Sequence, residues 1–278
     1  MQKRSFGPTR RDLPVIGQGT WQVLTARRRE AIAALRRGIE LGMTHIDTAE
    51  MYDGAEAIVA DAIAGRRDEV YVVSKVLPQH ASRRATITAC EQSLSRLGID
   101  KLDCYLLHWR GKHPLEETIA AFDELERQGK ILAWGVSNFD VPDLEEVVRI
   151  AGEGRLACNQ VLYHLHERAI EHAVLPWCEQ HGVALVGYSP FGHGRFPGPH
   201  TPEGRVLGAI AALHGATARQ VALAFLVRRA PLFAIPKASQ LDHVTENAGA
   251  DLRLTEADLT RIDQAFPLGR RPRDLPMR

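Results

Sequence analysis

Short apolar runs alternate with amphipathic helical stretches along the whole chain. Eight of these runs are rich in β-branched residues and have the length of buried strands. They lie at residues 15–19, 44–47, 70–75, 102–108, 132–137, 157–162, 184–189 and 232–236. Strands that alternate with helices predict a parallel sheet covered by helices, and eight strands in 278 residues favour an α/β fold of the closed (β/α)8 TIM-barrel type.

Helical periodicity fills most of the sequence between these strands. It covers residues 27–41, 56–64, 83–97, 115–128, 143–150, 169–181 and 218–228. Several of these stretches are followed by a glycine, which suits a left-handed helix C-cap. A capping box at residues 255–258 predicts a last helix that reaches about residue 266.

Three further features concern the ends and the division of the chain. Residues 4–7 and 12–15 are expected to pair as a β-hairpin that closes the barrel floor. Residues 191–204 follow a strand and are expected to form a long loop on the active face. Because no linker rich in Pro, Gly or Ser divides the chain before that loop, we expect a single domain over residues 1–278.

Charge and composition narrow the possible partners. The chain has 35 basic and 34 acidic residues, so its formal net charge is +1. No apolar stretch approaches the roughly 20 residues of a membrane-spanning helix. We therefore expect a cytoplasmic protein with no nucleic-acid partner and no membrane partner. Composition does not determine the oligomeric state, and a monomer is the expectation. The four cysteines match no metal or redox spacing, and His164 and His166 have no evident third ligand, so no metal site is predicted.

Ionisable residues stand at the ends of three consecutive predicted strands. Asp47, Lys75 and His108 each end a strand run, and Tyr52 lies five residues beyond Asp47. The active site of a parallel barrel forms at the carboxyl ends of its strands, so these four side chains are expected to meet. A buried acid and a buried lysine each need a partner, which predicts an ion pair between Asp47 and Lys75.

The chemistry of these four residues follows from their types. The charge of Lys75 is expected to lower the pKa of Tyr52 towards the working range of a general acid. His108 is expected to hydrogen-bond the substrate oxygen. Together they offer a proton and an electrophilic pocket but no nucleophile and no metal cage, so the reaction needs an external reductant. Taken singly, each residue also has a structural explanation, namely a rim ion pair, a loop aromatic or a core histidine.

Eight short motifs extend this pattern along the chain. They are Gly-Thr-Trp at 19–21, Asp-Thr-Ala-Glu-Met-Tyr at 47–52, Ser-Lys at 74–75, Leu-His-Trp at 107–109, Gly-Val-Ser-Asn-Phe at 135–139, Asn-Gln at 159–160, Tyr-Ser-Pro at 188–190 and Ile-Pro-Lys at 235–237. In type and order they resemble the aldo-keto reductases, and in particular bacterial reductases of small aldehydes. The resemblance implies an enzyme that reduces aldehydes to alcohols with a hydride from NADPH. Ketones and dicarbonyls such as methylglyoxal are further candidate substrates.

The resemblance also assigns roles to individual residues. Asp47, Tyr52, Lys75 and His108 are the catalytic tetrad, with Tyr52 as the general acid. Ser137, Asn138 and Gln160 are expected to hold the nicotinamide carboxamide, and Tyr188 to stack under the ring. Further cofactor contacts are expected from Gly19, Thr20, Asp47, Ser189, Pro190, Phe191, Pro236 and Ala238. The substrate pocket is expected to consist of Trp21, Tyr52, His108 and Trp109, although simple packing at the barrel rim also explains the two tryptophans.

The adenosine end of the cofactor site matches the family less completely. Lys237, Ser239, Glu246 and Asn247 occupy the positions that bind the 2′-phosphate and adenine in the family. His243 stands where the family usually has an arginine, and histidine lacks the bidentate guanidinium fork. We therefore expect NADPH as the cofactor, with NADH as a weaker alternative.

Two other functions remain open at this point. A non-catalytic regulatory subunit of the same family would keep the cofactor site, and a barrel lyase would use Lys75 to form a Schiff base. In the family that the chain resembles, substrate-gripping loops lie after the strand of His108 and after the last helix. Both segments are short here, so the resemblance implies an open pocket with broad tolerance for small aldehydes.

Overall fold

The computed structural model describes residues 1–25 and 27–277. The chain begins with an antiparallel hairpin of β1 (Lys3–Ser5) and β2 (Asp12–Pro14). An eight-stranded parallel sheet follows. Its strands are β3 (Gln18–Gly19), β4 (His45–Asp47), β5 (Tyr71–Val76), β6 (Cys104–Leu107), β7 (Trp134–Ser137), β8 (Cys158–Leu162), β9 (Ala184–Tyr188) and β10 (Leu232–Ala234).

The sheet curls until its first and last strands meet, as the sequence predicted. Neighbouring strands pair in chain order from β3 to β10. A parallel bridge between Ile16 and Ala234 then joins the two ends. The backbone N–H of Gly17 donates to the carbonyl of Ala234 at 2.8 Å across this seam. The expected (β/α)8 barrel is therefore confirmed.

Helices cover the outside of the barrel. They are α1 (Arg28–Glu40), α2 (Ala55–Ile63), α3 (Arg83–Leu97), α4 (Leu115–Arg127), α5 (Val141–Ala151), α6 (Val174–His181), α7 (Pro202–His214), α8 (Ala218–Leu226), α9 (Leu241–Ala248) and α10 (Glu256–Ala265). The predicted stretch 169–181 is divided into a 3-10 turn at Ala169–His172 and α6.

Two helices were missed by sequence reasoning. α7 starts inside the segment that was expected to be a loop, where Thr201 caps the helix by accepting from the N–H of Gly204 and Pro202 takes the first position. α9 buries only Val244 and Asn247 among its eight residues, so its apolar pattern is too sparse to reveal a period.

The side chains that point into the barrel form an inner core. On β5, Tyr71 and Val73 point inward, whereas Val72 packs outward against the helices. Side chains alternate across a strand, so Lys75 is the next inward position towards the carboxyl end. Alternation therefore places Lys75 inside the barrel, above Tyr71 and Val73.

The hairpin closes the opposite end of the barrel, as expected. Phe6 at its turn is fully buried, and its ring lies 5.2 Å from that of Phe233 and 5.4 Å from that of Tyr71. Gly7 has a φ of +54°, and a Cβ there would lie 2.1 Å from the carbonyl oxygen of Ala157. The floor is thus a packed plug, which leaves the carboxyl ends of the strands as the accessible face.

No single helix among residues 1–25 and 27–277 has the length and apolar character needed to cross a membrane. α7 and α8 meet that composition only when taken together, and they are bent by 92° at the break between them.

Replacing Phe6 by alanine tests the role of the plug. We expect Phe6→Ala to lower the free energy of unfolding by about 3 to 5 kcal/mol, the usual cost of removing a buried aromatic side chain. Urea denaturation measures this loss, and Lys3→Ala on the exposed part of the same hairpin serves as the control. A loss below about 1 kcal/mol would mean that the floor is stable without this ring.

Candidate active site

A cavity of about 530 Å³ opens at the carboxyl ends of the barrel strands. Its size falls within the usual range for small-molecule sites. Fifteen of the residues predicted from the sequence line it: Gly19, Thr20, Trp21, Asp47, Tyr52, His108, Trp109, Ser137, Asn138, Gln160, Tyr188, Ser189, Pro190, Phe191 and Lys237. Lys75 lies beneath it in the barrel interior and is fully buried.

The deepest feature of the site is an ion pair between β4 and β5. Lys75 Nζ lies 2.5 Å from Asp47 Oδ1, and the side chains are 0% and 2% exposed. Lys75 also donates to the carbonyl of Thr48 at 2.8 Å. The second carboxylate oxygen of Asp47 accepts from Gln160 Nε2 at 2.7 Å. Both buried charges therefore have the hydrogen-bond partners that such a pair requires.

The pair keeps Lys75 charged. Burial alone would lower the pKa of Lys75, but Asp47 and then Tyr52 oppose this effect, so the pKa is raised above its ordinary value. A positive charge therefore persists below the cavity floor throughout the neutral range.

Tyr52 lies directly above this charge. Lys75 Nζ is 5.1 Å from the centre of its ring. Burial nevertheless raises the pKa of Tyr52, and the charge of Lys75 offsets only part of that increase. The expectation that Lys75 would bring this pKa below its usual value was wrong, because the loss of hydration of the phenolate is the larger effect. Tyr52 therefore retains its proton in the neutral range.

His108 contacts Tyr52 from the side. The two ring centres are 5.7 Å apart and the rings are nearly perpendicular, at 74°. Burial, followed by the charge of Lys75, lowers the pKa of His108 to about 2. The imidazole is therefore neutral at working pH and offers one N–H donor. Its Nδ1 is buried and makes no hydrogen bond within the described part of the chain.

A strip of amide and hydroxyl groups borders the cavity at the ends of β7, β8 and β9. Tyr188 donates to Asn138 Oδ1 at 2.9 Å, and Asn138 Nδ2 donates to the carbonyl of His108 at 3.1 Å. Ser137 Oγ donates to the carbonyl of Gln160 at 2.8 Å. Fixed donors and acceptors of this kind, beside the ring of Tyr188, suit a flat heteroaromatic group that carries a carboxamide.

Backbone strain accompanies this strip. Asn138 has a φ of +63° and Ser189 a φ of +53°, the left-handed region that non-glycine residues seldom adopt. Such conformations concentrate at ligand sites, where the surrounding structure enforces them. Pro190 and Phe191 continue the cavity wall beyond Ser189.

The predicted adenosine end extends from the edge of the cavity to α9. Lys237 lines the cavity edge, donates to Ser239 Oγ at 3.2 Å, and has a pKa lowered by burial. Pro236 accepts from the N–H of Gly19, and Ala238 is partly buried beside Lys237. The remaining predicted residues lie on α9: His243 is exposed, Asn247 is buried and Glu246 accepts from Thr217 Oγ1 at 2.7 Å.

Five lining residues were missed by sequence reasoning: Gln22, Met51, His193, Ile235 and Met277. His193 packs against the ring of Trp21, with ring centres 4.7 Å apart, and so joins two loops across the mouth. Met277 shows that the short C-terminal tail reaches the cavity. The tail therefore forms part of the cavity wall.

The described part of the chain also contains cysteines and other residues of the types that bind metal ions. All four cysteines are buried and free. Among residues 1–25 and 27–277, no three His, Cys, Asp or Glu side chains converge in a way that could hold a metal ion.

Known proteins resemble this chain over nearly its whole length. The model of the Aldo/keto reductase family matches residues 15–266. A methylglyoxal reductase of Escherichia coli (strain K12) is 45% identical over 260 residues, 92% of each chain. A glyoxal reductase of Bacillus subtilis (strain 168) is 33% identical over 255 residues, 91% of this chain and 88% of that relative. The crystal structure of an aldo-keto reductase from Klebsiella pneumoniae in complex with NADPH matches with a TM-score of 0.93, 44% identity and full coverage of both chains.

Substitutions in the buried pair test its energetics. We expect Asp47→Asn to lower the free energy of unfolding by about 3 to 5 kcal/mol, because it leaves the charge of Lys75 without a counter-ion. Lys75→Met in the same chain removes that stranded charge and should recover part of the loss. Urea denaturation of the two single variants and the double variant measures the coupling. Strictly additive losses would show that the two charges do not stabilise each other in the folded state.

Proposed function

The chain belongs to the aldo/keto reductase family, and we propose that it uses NADPH to reduce small reactive aldehydes to alcohols, with Tyr52 as the proton donor. The observation that carries this proposal is the meeting of Tyr52, Lys75, Asp47 and His108 beneath one cavity. Together these residues offer a proton, a persistent positive charge and a neutral hydrogen-bond donor to an oxygen atom that gains negative charge.

The cavity residues fit a nicotinamide cofactor. Asn138 and Gln160 offer amide groups, Ser137 offers a hydroxyl, and Tyr188 offers a ring face at the edge of the cavity. Bound NADPH supplies a hydride to the carbonyl carbon. Lys237 and Ser239 would hold the 2′-phosphate. Burial lowers the pKa of Lys237, so an anion beside its ammonium group would offset the lost hydration.

The residues around the carbonyl oxygen would then act in concert. The N–H of His108 orients the oxygen and the hydroxyl of Tyr52 donates its proton to it as the C–H bond forms, which yields the alcohol. Lys75 stabilises the phenolate that Tyr52 leaves behind, and Asp47 holds Lys75 in place. Trp21 and Trp109 shield this region from water.

Small dicarbonyls are the substrates that we propose first. The similarity to a methylglyoxal reductase and a glyoxal reductase supports this class. The cavity wall agrees with it, because Asp47 and Lys237 are the only charged side chains among the described lining residues. A neutral two-oxygen substrate therefore meets no unbalanced charge beside the reacting carbon.

We further propose that the enzyme acts as a cytoplasmic monomer. Size-exclusion chromatography tests the oligomeric state.

Replacing Tyr52 by phenylalanine tests the proposed acid. With methylglyoxal and NADPH, we expect Tyr52→Phe to lower kcat at least about 10²-fold, because the proton is lost while the ring stays. The Kd of NADPH should stay within about twofold. Tyr105→Phe is the control, because it removes a buried hydroxyl that lies in the core beside Phe122 and outside the cavity. Turnover of Tyr52→Phe near the wild-type rate would refute the mechanism.

His243 tests the adenosine end of the site. We expect His243→Arg to tighten NADPH by roughly 1 to 2 kcal/mol, the range for an added charged hydrogen bond, and to leave NADH almost unchanged. Thr245→Arg is the control, since it adds the same charge about 200° further around α9. Fluorescence quenching gives both dissociation constants. Equal tightening of NADPH and NADH would mean that His243 does not face the 2′-phosphate.

A further inference from the structure

A short turn after β5 lies between the two loops that carry the proposed proton donor and the proposed orienting residue. This turn, residues 77–81, contains a 3-10 turn at Pro78–His80. The loop after β4 carries Tyr52, and the loop after β6 carries His108 and Trp109. The 77–81 turn contacts the first loop through a hydrogen bond to Glu50 and the second loop through close packing against Gly111.

Glu50 makes the contact on the Tyr52 side. Its Oε1 accepts from the N–H of Leu77 at 2.6 Å and lies 3.0 Å from His80 Nδ1. The Glu50 side chain is only 7% exposed, whereas that of His80 is 47% exposed, so the carboxylate itself is the sheltered member of this contact. The N–H of Glu50 also donates to the carbonyl of Lys75 at 3.3 Å. A carboxylate two residues before Tyr52 therefore ties its loop to the 77–81 turn.

Close packing makes the contact on the His108 side. A Cβ at Gly111 would lie 2.6 Å from Pro78 Cβ and 3.1 Å from the carbonyl oxygen of Pro78. Real Cβ atoms essentially never approach to 2.6 Å, so the loop has no room for a side chain here. Gly111 is three residues after His108, so the position of the turn limits the position of that loop.

Hydrogen bonds from two helices hold the turn from behind. Thr86 Oγ1 on α3 donates to the carbonyl of His80 at 3.0 Å. Thr118 Oγ1 on α4 donates to the carbonyl of Ala81 at 2.7 Å. These bonds attach the turn to the helical layer. Its fixed position therefore constrains the loops on either side.

We propose that Glu50 is a positioning residue that, through the 77–81 turn, sets the distance between Tyr52 and His108. The inference rests on the proposed function. In that reaction one carbonyl oxygen must accept from both side chains, so a small change in their separation weakens both hydrogen bonds. The loss of the carboxylate also leaves the partly buried N–H of Leu77 without its acceptor, which loosens the loop that carries Tyr52.

Asp103 provides a matched control, because its carboxylate contacts the other end of β5. Its Oδ2 accepts from the N–H of Val72 at 2.8 Å and pairs with Arg67 at 2.7 Å. Like Glu50, it is a buried carboxylate that binds one backbone N–H and one basic side chain. Asp103 directly precedes β6, and its carboxylate contacts the amino end of β5, away from the cavity. Asp103→Ala therefore reproduces the local damage without disturbing the loops at the mouth.

The first measurement compares kcat, KM and the Kd of NADPH in Glu50→Ala, Glu50→Gln and Asp103→Ala. We expect Glu50→Ala to lower kcat for methylglyoxal about tenfold, with KM and Kd within about twofold, as misplacement of reacting groups predicts. Glu50→Gln keeps an oxygen acceptor for Leu77 and should recover most of this loss. Asp103→Ala should keep the wild-type kcat even though it loses stability. Wild-type kcat in Glu50→Ala, or an equal loss in Asp103→Ala, would overturn the proposal.

Gly111→Ala tests the same turn from the opposite side. The added methyl group should displace Pro78 and lower kcat as well. Because both changes act on one turn, the loss in Glu50→Ala/Gly111→Ala should differ clearly from the product of the two single losses. Losses that simply multiply would show that Glu50 and Gly111 act independently, against the proposal.

Hydrogen exchange separates this inference from the proposed function. Glu50→Ala should speed amide exchange in residues 48–54 and 108–112, whereas Asp103→Ala should not. Unchanged exchange in both loops overturns the positioning role whether or not the enzyme turns over. If Glu50→Ala speeds exchange as expected but the wild-type protein oxidises no NADPH with any aldehyde, the result contradicts the proposed function instead.

Discussion

The buried ion pair between Asp47 and Lys75 is the constraint on which the rest of the site depends. Burying a charge inside a barrel costs several kcal/mol of desolvation. An ion pair offsets this cost only when its remaining hydrogen-bonding atoms also have partners. Here Thr48 and Gln160 complete the set, so the pair ties together the ends of β4, β5 and β8. The apolar plug at the other end of the barrel excludes water from below. The pair therefore has one open direction, towards the cavity and Tyr52.

Burial then controls the protonation of Tyr52 and His108 above the pair. It raises the pKa of Tyr52 and lowers that of His108 to about 2, so Tyr52 presents a protonated hydroxyl and His108 a neutral imidazole to the cavity. Lys75 moderates the first effect and adds to the second. A carbonyl oxygen that takes on negative charge meets two neutral donors and a fixed positive charge in this arrangement. This suits hydride reduction, for which the protein must supply only a proton and electrostatic stabilisation.

The sequence predicted the features that depend on the local residue pattern. It missed those that depend on how deeply a side chain is buried or on the route that a loop or tail takes. Strand periodicity located all eight barrel strands, and the rule that strand ends meet brought Asp47, Lys75 and His108 together. The predicted direction of the Tyr52 pKa shift was wrong, because a sequence does not report how deeply a phenol is buried. α9 was missed because it buries only two of its eight residues. Met277 and Gly111 were missed because the paths of a tail and a loop depend on packing against distant segments.

The most direct test of the account follows a labelled hydrogen atom. NADPH that carries deuterium at both C4 positions is mixed with the wild-type enzyme and methylglyoxal in ordinary water, and the alcohol is analysed by mass spectrometry. The account predicts one deuterium atom on the carbon that becomes the alcohol, and one NADPH oxidised for each alcohol formed. An unlabelled product, or product formed without oxidation of NADPH, would contradict it and would favour chemistry at Lys75 instead.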